Sequence, residues 1–256
     1  MSPQEIDQLF ARTLTADYDD ESAWDAVGTL RRLGTREVFE LAAEWCKTKD
    51  PLHRARGADV LAQLGRTVEH PHNNFPEESF STVISMLDRE TEAVPISAAI
   101  SALGHIGDPA AAPSIVKHAL HASYDVRFSV AFALGCFANE PTAIPTLLLM
   151  MDDLDPRVRD WATFGLGVQG DADSQEIRDA LLRRAQDPDE DTREEAIVAL
   201  AKRQDSRILP DLIAALERPP AGPRILEAAD LILGMDQDGP DWSEREYVAA
   251  LRQKLN

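Results

Sequence analysis

Asp155-Pro156-Arg157-Val158-Arg159-Asp160-Trp161-Ala162-Thr163-Phe164-Gly165-Leu166-Gly167 is one helix-length segment that ends on a Leu-Gly pair. The same pair stands at Leu33-Gly34, Leu64-Gly65, Leu103-Gly104, Leu134-Gly135 and Leu233-Gly234, and Leu200-Ala201 fills the remaining gap. Successive leucines are 31, 39, 31, 32, 34 and 33 residues apart, the period of a two-helix unit stacked on copies of itself. The spacing predicts an all-α fold, a right-handed α-α superhelix of about seven two-helix repeats. Each repeat of such a solenoid buries its apolar face against its neighbours, so the repeats, not a single centre, set its size.

Caps and apolar periodicity place the helices. Ser2-Pro3 opens a lead-in helix, giving an N-terminal segment 1–20. Paired helices follow through the repeat region 21–235, and 236–256 supplies a C-terminal capping helix. Aligned on the closing leucine, the preceding residue is Ala102, Ala133, Gly165 or Ala199, and the residue four back is Ala99, Val130, Ala162 or Ala196. Small side chains at these positions let adjacent helices approach closely. Pro113, Pro145 and Pro210 fall in the first turn of the partner helices, where a missing N–H costs little. The first two repeats carry about one extra turn before Leu-Gly. The long 39-residue step reflects an inserted loop at 66–77, rich in Pro and Asn; it is either a surface excursion or a binding element.

Asp155-Pro156-Arg157-Val158-Arg159 with Ala162 and Leu166-Gly167 resembles the HEAT-like repeat named after phycobilisome lyases, an armadillo-like α solenoid. Asp125-Val126-Arg127 with Leu134-Gly135 and Ala143-Ile144-Pro145 follows the same pattern, and Asp191-Thr192-Arg193 with Leu200 is a looser copy. The resemblance covers roughly 20 to 235 and is strongest from 94 to 218. It implies that Arg127, Arg159 and Arg193 belong to an Asp–Arg ladder between layers. Deoxyhypusine hydroxylases, built on a similar fold, hold di-iron through His-Glu dipeptides, and none of the six histidines here precedes Glu. An enzyme or enzyme subunit of the bilin-lyase type remains the rival reading.

The net charge is −19 and no segment between repeat boundaries is basic, which disfavours nucleic acid as a partner. No signal peptide and no run of 18 apolar residues is present, so a cytoplasmic protein without membrane contact is expected. Cys46 and Cys136 are expected to be buried free thiols. His118/His121 and His70/His72 lack further ligands at useful spacing, and Asp236-Gln237-Asp238-Gly239 lacks the later acids of a calcium loop. No catalytic residue, metal or cofactor is predicted.

Residues two, five and six before each closing leucine should face away from the core. In two repeats these are Ser101, Ala98, Ser97 and Val198, Glu195, Glu194, and they are expected to be exposed. In the two repeats between them the positions hold Phe128 and Phe132, then Trp161 and Phe164, beside Arg157 and Asp160. In the resembled repeat this helix lines the concave side. These six residues are the predicted partner-binding site, unless curvature tucks the rings between helices. The expected function is a non-catalytic scaffold or inhibitor that holds another protein with a basic surface, an immunity-like protein against a cationic toxin being one version.

Overall fold

A computed structural model describes residues 1–218, 220–235 and 242–255. The Asp236-Gln237-Asp238-Gly239 segment considered above lies outside the described residues. Every regular element among those described is helical, and the chain divides into two compact units, Met1–Phe137 and Ala138–Asn256.

The first unit contains α1 (Pro3–Arg12), α2 (Glu21–Leu33), α3 (Arg36–Trp45), α4 (Pro51–Ala62), α5 (Pro76–Leu87), α6 (Ala93–Ile106), the short α7 (Ala112–Ile115) and α8 (Tyr124–Gly135). Ser2 and Glu5 form a capping box that starts α1, while Asp20, Thr35 and Asp50 cap the next three helices through side-chain oxygens. These are the residue types that satisfy orphan amides at helix starts. Helices α4, α6 and α8 pack in succession as an inner layer, and Ala58, Leu61, Ala99, Leu103, Val130 and Leu134 between them are inaccessible to solvent.

The second unit contains α9 (Ile144–Met150), α10 (Pro156–Phe164), a π-helical turn at Gly165–Gln169, α11 (Gln175–Arg184), α12 (Glu190–Lys202), α13 (Leu209–Leu216), α14 (Pro223–Leu233) and α15 (Glu244–Leu255). Its inner layer runs α10, α12, α14. A π turn frees carbonyls from the α-helical pattern, and Arg203 collects those of Leu166 and Gly167 together with the Ala172 carbonyl beyond the turn. The prolines expected in first turns are there, Pro113 and Pro145 and Pro210 each opening its helix.

The Leu-Gly pair proves to have two structural roles. Gly34 and Gly234, with φ of 59° and 70°, cap α2 and α14 in the left-handed conformation that glycine adopts without a Cβ clash, and Gly65, with φ of 80°, takes the same conformation in the turn beyond the end of α4. Gly104 and Gly167 lie in helical backbone instead and serve close approach: a Cβ on Gly104 would come within 2.9 Å of the Ala133 Cα, and one on Gly167 within 2.6 Å of the Ala199 Cβ. Register explains the division in the second repeat. Leu64 follows Arg54 by ten residues, whereas Leu134, Leu166 and Leu200 follow Arg127, Arg159 and Arg193 by seven. The added residues carry the glycine from the contact position into the turn beyond α4, and Leu61-Ala62, at the end of the helix, takes the packing role there.

The predicted Asp–Arg ladder between layers is seen at Arg159, and a similar bridge stands earlier, at Arg54. Arg54, Arg127, Arg159 and Arg193 each donate to carbonyls of the loop just before their own helix. Arg54 also pairs with Glu90 through two hydrogen bonds of 2.5 and 2.9 Å, and Arg159 pairs with Asp187 through two of 2.9 and 2.8 Å. The acid comes from the loop before the next inner helix. In Asp187-Pro188-Asp189 the first carboxylate binds the arginine of the preceding layer and the second caps α12, so one short loop fixes both a layer and a helix start.

The inserted loop at 66–77 is tied down. Asn74 donates from its side chain to the Gly34 carbonyl at 2.8 Å, Asn73 donates to the Leu61 carbonyl at 2.7 Å, and Phe75 packs on Phe39 beneath the Arg36 guanidinium. These bonds satisfy carbonyls at two helix ends, so the loop closes the seam left by the long repeats. Two expectations are corrected. Cys136 is exposed, not buried, because α8 ends at Gly135 and the thiol follows at the cap; Cys46 is buried as expected, and both are free. Ala98, Glu195 and Val198 are buried, at 5%, 7% and 1% exposure, where open surface was expected. Inner helices have inner neighbours on both flanks, so only a narrow strip of each stays open.

Candidate functional surfaces on the inner helices

In the first unit the inner strip opens into a pocket of about 400 Å³. Tyr18, Trp24, Tyr124 and Phe128 form aromatic walls, Ser97, Ser101 and Ser129 contribute hydroxyls, Asp59 lies at the bottom, and Asp19 and Asp125 stand exposed at the rim. No lysine or arginine belongs to the lining. The three serines bond to one another, Ser97 Oγ to Ser129 Oγ at 2.8 Å and Ser101 Oγ to Ser129 Oγ at 3.0 Å.

Beneath this pocket is a buried polar cluster that repeat reading passes over. Arg56 has no solvent exposure at all. Its guanidinium donates to the Thr13 carbonyl, the Tyr18 carbonyl and the Asp59 carboxylate, and lies 4.1 Å from the Tyr18 ring centroid and 5.0 Å from that of Trp24. Tyr18 donates its hydroxyl to Asp59 Oδ2 at 2.7 Å, and Arg31 holds the Asp59 backbone carbonyl with two bonds. Burial pushes the Asp59 carboxyl up, against the opposing pull of the Tyr18 hydroxyl and Arg56; burial, and then Asp59, drive the Tyr18 phenol well above its ordinary value. A charge with this many donors is a fixed structural element. One sequence signal could have found it: Arg56 and Asp59, three apart, interrupt the otherwise apolar Ala55–Ala62 run.

The second unit presents a different arrangement. Trp161 and Phe164 meet edge-on at 5.8 Å, and the Arg224 guanidinium lies 5.6 Å from the Phe164 ring centroid. Arg224 is bound by Glu195, with contacts of 2.7 and 2.5 Å. Burial raises the Glu195 carboxyl to about 7, outweighing Arg224, with Asp160 and Glu227 adding to the rise. Asp160 is raised to about 6 by burial and then by Asp191 and Asp189. Its Oδ1 is shielded from solvent and has no hydrogen-bond partner among the described residues.

The six predicted residues divide between the two units. Phe128 and Phe132 belong to the first unit; Arg157, Asp160, Trp161 and Phe164 belong to the second. All four rings are partly exposed, as is Asp160, and Arg157 is exposed. Phe128 lines the pocket, whereas Phe132 packs on His105 with ring centroids 4.9 Å apart and covers Gly104. Burial lowers the His105 imidazole to about 4, so it meets Phe132 as a neutral ring at physiological pH. His118 and His121 have ring centroids 6.5 Å apart, and His121 Nδ1 accepts the Ser123 amide. No group of three His, Cys, Asp or Glu side chains suited to a metal exists among the described residues. Nor is any described helix long and apolar enough to cross a membrane.

Two-helix repeats, with an inner layer in each unit and partly open aromatic rings on it, define an α-solenoid scaffold. The HEAT repeats family matches residues 80–167 and 144–232, and the chain belongs to that family. Protein YibA of Escherichia coli K12 is 28% identical, the match covering 87% of this chain and 79% of YibA. The X-ray structure of E. coli YibA superposes with a TM-score of 0.72 at 25% identity, over 99% of this chain and 94% of that one. A designed armadillo repeat protein in complex with the peptide (KR)4 gives 0.54 at 17% identity, over 77% and 97%. The CpcE–CpcF complex of phycocyanin lyase from Nostoc sp. PCC7120 gives 0.51 at 15% identity, over 100% and 95%; that likeness is one of fold.

Proposed function

We propose that this chain is a non-catalytic scaffold that holds a polypeptide with basic side chains against its inner helices. The observation that carries the reading is the pocket of the first unit, with aromatic walls, an acidic rim and no cation in its lining. Aromatic faces and carboxylates together suit a guanidinium or ammonium on a hydrocarbon stem. The net charge of −19 favours encounter with such a partner. The armadillo fold relative in complex with (KR)4 is an example of this chemistry on a similar scaffold. In the second unit, Trp161 and Phe164 beside Asp160 offer the same combination of ring and acid. These features select for basic polypeptides in general, of which a cationic toxin is one kind.

Fluorescence anisotropy with the full chain and a labelled (KR)4 peptide tests the reading. Binding should weaken as salt rises, and Trp24→Ala or Phe128→Ala should each weaken it by about tenfold, as loss of an aromatic anchor does. Equal binding of an uncharged Gly-Ser peptide, or indifference to both substitutions, would overturn it.

A further inference from the structure

A second pocket, of about 370 Å³, lies on the other side of Tyr18 and Val94 from the acidic one, and these two residues belong to both linings. Its walls come from the segment after α1 and from the starts of α4 and α6: Ala16, Pro51, Leu52, Ala93 and Pro95, with Glu92 its one charged residue. Val94 on the shared wall is 46% exposed, one of the few large apolar side chains among the described residues left open to water. The two hollows differ in chemistry. One has carboxylates and rings, suited to a cation on a hydrocarbon stem, while the other is apolar and suited to an aliphatic side chain.

The base of this double site is fixed. Pro51 and Pro95 stiffen the first turns of α4 and α6, and Tyr18 is anchored through its hydroxyl to Asp59 and through its carbonyl to Arg56. Rigid walls lower the ordering cost of binding. A segment of partner chain crossing the Tyr18–Val94 wall presents neighbouring side chains to the two hollows at once. In an extended strand, side chains on one face repeat about every 7 Å, which suits adjacent pockets with a common wall.

Resting on the basic-partner reading above, we infer that the first unit recognises a bipartite signature in another polypeptide: a basic side chain in the Tyr18–Trp24–Phe128 pocket and a neighbouring aliphatic one in the Leu52–Val94–Pro95 pocket. An all-basic peptide then satisfies only half of the site. Leucine at the right place should improve binding although it removes a positive charge.

The experiment measures the full chain against labelled (KR)4 and a series in which each residue in turn is replaced by leucine. At least one replacement should tighten binding by about tenfold, the order of a well-buried aliphatic anchor. Leu52→Ala, a change confined to the lining of the apolar pocket, should erase most of that gain and leave (KR)4 binding undiminished. If every leucine weakens binding in step with the lost charge, the bipartite signature is wrong while the basic-partner reading survives. If (KR)4 itself fails to bind, the basic-partner reading falls, and the signature with it.

Discussion

Asp59 in the first unit and Asp160 in the second are both carboxylates shielded on the inner helices, and they are treated in opposite ways. Asp59 receives the Tyr18 hydroxyl and the Arg56 guanidinium, while Arg31 occupies its backbone carbonyl. Asp160 keeps an oxygen shielded from solvent and unpartnered, beside a Glu195 that relies on one arginine. A satisfied buried charge locks a structure; an under-satisfied one is costly to the fold and available to an incoming donor. The inner surface of the first unit is thus built on a finished base, and that of the second retains unspent hydrogen-bonding capacity.

The largest expected effect breaks the first half of this contrast. Arg56→Met strands Asp59 without its guanidinium and should cost about 3–5 kcal/mol in urea denaturation. Adding Asp59→Leu should restore part of the loss, because a buried pair replaced on both sides is tolerated better than half a pair. A loss near zero for Arg56→Met would mean that the cluster is not structural.

Ala133→Leu and Ala199→Leu probe the packing common to both units. Each residue has no solvent exposure and faces a helical glycine. Overpacking should cost about 1–3 kcal/mol at either site, measured by thermal or urea unfolding. A difference larger than this range would show that the two inner layers are not equivalently packed.

Glu195→Ala is smaller, at roughly 1–2 kcal/mol, since Arg224 loses its carboxylate but is exposed enough to regain water. Were Glu195 on open surface, the same change would be near neutral.

The pH dependence of Asp160 sharpens the second half of the contrast. Its folded value of about 6 exceeds the ordinary 3.8, so between those values the folded chain holds a proton that the unfolded chain has released. The carboxyl's contribution to stability is therefore greatest in acid and declines as pH rises from about 4 to 6. Asp160→Asn should flatten the profile and add about 1 kcal/mol at pH 7.5, as followed by unfolding at several pH values. An unchanged profile would mean that the carboxylate is solvated after all. Arg157→Ala, at an exposed position whose carboxylate contact is a 3.4 Å pair with Asp155, should stay within about 0.5 kcal/mol.

The repeat was legible because stacking imposes it at fixed intervals. A leucine every 31 to 39 residues, small side chains one and four places before it, and proline at the next helix start are local demands of close-packed helices. The register difference was visible too, in the extra turn of the early repeats. Its meaning was not. Whether a glycine ends a helix or receives a neighbour depends on what lies across the interface, Asn74 for Gly65 and Ala199 for Gly167.

Of the predicted partner-binding residues, the four aromatic rings stand partly open to solvent, two in each unit. Ala98, Glu195 and Val198, on the same outward side by helical angle, are buried because each inner helix meets neighbours on more than one side. Tyr18, Trp24 and Asp59 could not be placed by any repeat, since they come from the lead-in segment and from an interruption in α4.

From its sequence alone the chain is bound to be an acidic stack of two-helix repeats, because periodic apolar positions and caps act within a few turns of helix. The tertiary structure alone decides which carboxylates are satisfied, which glycines are contacts, and where two hollows share the Tyr18–Val94 wall. Those outcomes depend on side chains from distant parts of the chain meeting in space, and nothing in their linear spacing fixes that meeting.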